Sequence, residues 1–89
     1  MNKMRRKELN EWVRRAKDWM VQGEEIKSEL ENICSDEEEC FDNMPEGAKA
    51  GPNGMNSEEA IDLMNEAIEC MDNAIEAAGE ATGCVENII

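Results

Sequence analysis

From Ala60 onward the chain repeats every seven residues: AIDLMNE, AIECMDN, AIEAAGE and ATGCVEN, followed by Ile88 and Ile89. Alanine opens each unit, at positions 60, 67, 74 and 81. Ile61, Ile68 and Ile75 follow it, and Met64, Met71, Ala78 and Val85 stand three residues further on. A sustained 3-4 spacing of apolar residues specifies a helix that buries a narrow seam against another helix. The fold class is therefore all-α.

A second helix is legible upstream. With Leu9 at an a position, the a series reads Leu9, Ala16, Gly23, Leu30, Glu37 and Met44, and the d series reads Trp12, Trp19, Ile26, Ile33 and Cys40. Val13, Met20, Cys34 and Phe41 at e positions widen the stripe toward that of a bundle helix. The pattern predicts a first helix over about residues 4–43, ended by the proline at 45. Gly23 costs about 1 kcal/mol of helix propensity against alanine, so its place in the seam suggests either close approach of another backbone or a kink. Residues 44–56, with three glycines and both prolines, read as a loop. The second helix is predicted over about 57–82. Asn56 is the expected cap, Glu59 reaches back to it as in a capping box, and Gly79 and Gly83 weaken the last turns.

Two seamed helices joined by one loop make a single antiparallel, coiled-coil-like hairpin over residues 1–89. Paired residues should then carry numbers adding to about 100. That register sets Trp12 and Trp19 beside Ile88 and Ala81, and the bases at 14–17 beside the acids of the final turns. A further strip on the second helix, Ala60, Leu63, Ala67, Cys70, Ala74, Ala77, Ala81 and Cys84, also follows 3-4 spacing. It has no partner inside a two-helix hairpin. The expectation is a homodimeric four-helix arrangement or a target protein on that strip; the alternative is that alanine merely favours helix and tolerates exposure.

An 89-residue chain supports only a modest core, which makes a partner or self-association reasonable. Net charge is −13, unevenly spread. Residues 1–22 hold seven bases against three acids, giving +4; residues 23–89 hold Lys27 and Lys49 against nineteen acids, giving −17. Such a body repels nucleic acid and favours a basic protein partner. Nine acids gather at the loop end: Asp36, Glu37, Glu38, Glu39, Asp42, Glu46, Glu58, Glu59 and Asp62. They read either as a surface that imitates nucleic-acid phosphates and occupies a basic cleft, or as a solvated helix end.

Other chemistries find little support. Histidine is absent, which removes the commonest general base and zinc ligand. Cys34, Cys40, Cys70 and Cys84 form no C-x-x-C pair, so neither metal nor cofactor is expected, and Cys70 and Cys84 could crosslink neighbouring chains only on oxidation. An EF-hand aligned on Asp42 fails at Met44, which has no oxygen ligand, and at Asn53, where a bidentate carboxylate is required. No catalytic motif is present, and the expectation is a non-enzyme. Arg14, Arg15 and Lys17 with the tryptophans allow a basic arm for nucleic acid or membrane, but pairing with the acidic second helix is more economical; neither direct nucleic-acid binding nor membrane binding is expected. Without an export signal or membrane span, a cytoplasmic setting with reduced thiols follows.

Two stretches, ICSDEEECFDNMPE (33–46) and SEEAIDLMNEAIECMDNAIEAA (57–78), resemble small acidic helical-hairpin proteins of uncharacterised function from phages and mobile elements of Gram-positive bacteria. The intervening loop is longer and richer in glycine than that pattern. The resemblance implies no catalytic residues. It implies a bacterial host cell as the setting and a protein that binds and obstructs host machinery, in the manner of an anti-CRISPR-like inhibitor. The functional expectation is thus an acidic, nucleic-acid-mimicking protein-binding module that blocks a basic surface of a nucleic-acid-handling host protein. The alternative is a structural assembly subunit without inhibitory role.

Overall fold

The computed structural model describes residues 1–89. Three helices run in order: α1, Lys3–Asp42; α2, Glu46–Lys49; and α3, Pro52–Glu86. The long helices α1 and α3 fold back on each other as an antiparallel pair with extents of 68 × 15 × 14 Å. The radius of gyration is 20.0 Å, against about 12 Å for a rounded domain of this length.

α1 begins where Asn2 accepts a hydrogen bond from the Arg5 amide at 2.8 Å, a side-chain cap. It ends at Asp42, one residue before the predicted limit. The expected loop is partly helical. After Pro45, residues 46–49 form the single turn α2, and α3 starts at Pro52, five residues earlier than predicted. Asn56 therefore lies inside the helix, and the Asn56–Glu59 capping box does not form. Proline at the first helical position, with its preset φ and no N–H to satisfy, supplies the start instead. Gly54 is buried here against Lys49, so closely that a Cβ would overlap the Lys49 carbonyl. At the other end α3 continues to Glu86, past the expected fraying. The Met20 methyl packs on Gly79, and the buried Thr82 donates its hydroxyl to the Ala78 carbonyl at 2.7 Å.

The register agrees with the sequence expectation. Gly23 meets Ile75, Met20 meets Gly79, Lys27 meets Asp72, and Cys34 meets Asn65; each pair adds to 98 or 99. Gly23 is the close approach its position suggested. A Cβ there would stand 3.2 Å from Ile75 Cγ1.

On α3 the seam is the predicted one: Ile61, Met64, Ile68, Met71, Ile75, Ala78 and Val85 are buried or half-buried, with Ser57 and Thr82 in the same rows. On α1 it is not. The a series from Leu9 to Glu37 faces α3, but its companion is the e row of Val13, Met20, Lys27, Cys34 and Phe41. Trp12 and Trp19 leave 42% and 49% of their surface exposed, Ile26 and Ile33 leave 56% and 57%, and Cys40 is exposed. The contacts at Gly23 and Gly79 bring the two backbones too close to admit a row of tryptophans between them. Smaller e-row side chains fit, and Lys27 lays its methylene stem along the seam while its amine reaches outward.

Candidate interaction faces

The two unburied apolar strips fall on one side of the hairpin. Viewed from the open end, heptad positions advance clockwise on α1 and anticlockwise on the reversed α3. The Trp12 row precedes the α1 seam by roughly 75°, and the Ala60 row precedes the α3 seam by roughly the same angle. The offsets therefore turn in opposite senses on two helices that face each other, which puts both rows on the same side of the hairpin. Trp12, Trp19, Ile26, Ile33 and Cys40 share a broad face with Leu63, Ala67, Cys70, Ala74, Ala77, Ala81 and Cys84, all exposed, and with the half-buried Ala60. No charged residue interrupts either of the α3 rows on this face.

The opposite face carries the polar bridges between helices. Lys27 Nζ lies 2.5 Å from Asp72 Oδ1 and 3.2 Å from Glu24 Oε2. Asp72 and Glu24 together hold its proton more tightly than usual. Lys17 Nζ reaches Glu86 Oε2 at 3.5 Å, as the charge pairing with the final turns predicts. Arg14 does not take part: it pairs within its own helix with Glu11 and Asp18. The Glu11 pairing holds the guanidinium above, and the Glu11 carboxyl below, their ordinary values. Cys34, buried at 3% exposure, points its Sγ at Glu38 Oε1 (3.6 Å) and Asn65 Oδ1 (3.7 Å). Burial, with help from the Glu38 charge, pushes its thiol up. All four cysteines are free thiols.

Of the nine loop-end acids, Asp36, Glu37, Glu38, Glu39 and Asp42 lie on the last two turns of α1, Glu46 on α2, and Glu58, Glu59 and Asp62 on the first turns of α3. Glu37 accepts the hydroxyl proton of the buried Ser57, which ties the two long helices at this end. None of the nine is in an ion pair; every salt bridge of the chain lies on Glu11, Asp18, Glu24, Glu31, Asp72 or Glu86. The one base at that end, Lys49, sits over the Phe41 ring, 5.5 Å from its centroid. No three Cys, Asp or Glu side chains converge as a metal site would require. No helix is long and apolar enough to cross a membrane.

Fold and surface together define an antiparallel helical hairpin with one ion-paired face and one face of exposed apolar rows, rimmed on α1 by charged residues such as Arg15 and Asp36. Comparison with known proteins finds no matching family model, no similar curated protein and no similar solved structure. The face that sequence reasoning missed is the α1 half of the apolar side. Its signal was present: two apolar rows, d and e, both flank the a series, and only one can enter a two-helix seam.

Proposed function

We propose that this chain is a non-enzymatic protein-interaction module whose apolar face builds a homodimeric four-helix assembly. The observation that carries the reading is the size and continuity of that face. From Trp12 to Cys40 it runs about 42 Å at 1.5 Å per residue. With the 15 Å width of the hairpin, it offers roughly 600 Å² of projected area per copy, or about 1,200 Å² per pair, the lower end of stable interfaces. Contiguous apolar surface on that scale marks interaction sites on monomers. The accessible surface, 6622 Å², exceeds the roughly 5,200 Å² typical of a folded 10 kDa monomer. Association would cover part of the excess.

The test is native mass against concentration, read beside tryptophan emission. Assembly predicts a dimer at micromolar concentration and, on dilution, a fall to the monomer mass as emission from Trp12 and Trp19 moves to the red. Ala67→Glu and Ala74→Glu should hold the chain monomeric. A monomer at every concentration, with unchanging emission, removes the reading.

The unpaired state of the nine loop-end acids supports a second reading, in which this end blocks a basic surface of a nucleic-acid-handling protein as a phage-type inhibitor would. That reading requires an affinity that falls steeply with salt and disappears when Glu37, Glu38 and Glu39 are reversed to lysine. Binding indifferent to both removes it.

A further inference from the structure

Building on the self-assembly reading, we infer that the apolar face is covered by a second copy turned end for end, with the two-fold axis at Ile26. The α1 strip, Trp12 to Cys40, is centred on Ile26. The outer α3 row, Leu63 to Cys84, is centred between residues 73 and 74, which the observed register places beside Ile26. Both strips thus share one midpoint. A two-fold axis across the rod at that level superposes each strip on its own copy over its full length, the self-complementary contact that a two-fold dimer requires.

Bulk and charge fit this arrangement. Trp12 falls over the partner's Cys40, Trp19 over the partner's Ile33, and Leu63 over the partner's Cys84, so a large side chain meets a smaller one in these layers, while Ile26 meets its own copy at the axis. Arg15, on the rim of the face, falls across from the partner's Asp36. The basic N-terminal stretch of each copy lies beside the partner's loop-end acids, which have no ion pair within their own chain. A parallel dimer would instead set two acidic loop ends side by side, where like charges repel. The basic surface that the acidic end meets is therefore the second copy's own N-terminal half.

Disulfide trapping in the full chain tests the geometry. The exposed Cys40, Cys70 and Cys84 are changed to alanine and Ile26→Cys is added, with oxidised glutathione as the oxidant that is reduced as two thiols become one disulfide. An axis at Ile26 predicts a covalent dimer through residue 26 alone. A parallel dimer predicts none with that variant, and a crosslink only when it is mixed with an Ala74→Cys variant of the same background. A second measurement needs no new thiol: Arg15→Glu should weaken the native dimer about tenfold, and Arg15→Glu combined with Asp36→Arg should restore it. A native dimer that traps only the 26–74 mixture, or that ignores the charge exchange, overturns the end-for-end arrangement while leaving self-assembly standing. A monomeric native mass overturns both.

Discussion

Gly23 of α1 lies so close to Ile75 of α3 that a Cβ would stand 3.2 Å from Ile75 Cγ1. This contact sets the separation of the two long helices at mid-length. Gly23→Leu would drive a side chain into a space already filled, and overpacking of this kind costs roughly 1–3 kcal/mol despite better helix propensity. Urea unfolding followed by circular dichroism should show the midpoint fall. An unchanged midpoint would mean that the helices separate freely there.

Ile75 and Ile26 are the same residue type with opposite surroundings: Ile75 is 7% exposed and Ile26 56%. At concentrations dilute enough to keep the chain monomeric, Ile75→Ala should destabilise by about 2–4 kcal/mol, and Ile26→Ala by no more than about 0.5 kcal/mol. Raising the concentration should expose a deficit for Ile26→Ala in dimer formation. Equal costs for the two in dilute solution would contradict the seam assignment.

Lys27 ties stability to alkaline pH. Its hydrogen bond to Asp72, then that to Glu24, raises its pKa in the folded chain, so the native state holds the proton more tightly than the unfolded chain. The stabilisation is complete below the ordinary lysine value of about 10.4 and is lost as pH rises through the higher native value. Lys27→Met should flatten this alkaline fall. A fall of unchanged steepness in the variant would assign it to other groups.

Cys34 differs from the other three thiols. Burial and the neighbouring Glu38 disfavour its thiolate, whereas Cys40, Cys70 and Cys84 are exposed. In dilute native protein at pH 8, alkylation of Cys34 should lag the others by roughly tenfold or more, and denaturant should abolish the lag. Equal native rates, read by mass spectrometry of the peptides, would place Cys34 at the surface.

The α3 seam was legible because, of its two strips at 3-4 spacing, one carries isoleucine and methionine and the other mostly alanine and cysteine. α1 offered two apolar rows, d and e, and reading by bulk favoured the tryptophan row. The choice is made by the partner helix: Ile75 and Gly79 demand close approach, which Gly23, Val13 and the Lys27 stem permit and Trp19 does not. The cap at Asn56 was misplaced for a local reason. A capping-box pattern inside a helix looks the same as one at its start, and only the packing of Gly54 against Lys49 shows that the chain is already helical there. The acidic run was readable from composition, and eight of its nine acids are exposed; Glu37, half-buried in the seam against Ser57, is the exception that composition could not single out.

The hairpin is joined at one end only. At the junction, Pro52, the turn at Glu46–Lys49 and the bond from Ser57 to Glu37 fasten α1 to α3. At the other end, Lys17–Glu86 is the last cross-helix ion pair before both chain ends. Thermal opening of such a rod has a direction: it peels from the termini toward the bend, and amide exchange should slow in the same order. The stretch that comes loose first is the one with a positive charge, so each transient opening frees a short cationic tether while the anionic bend stays folded.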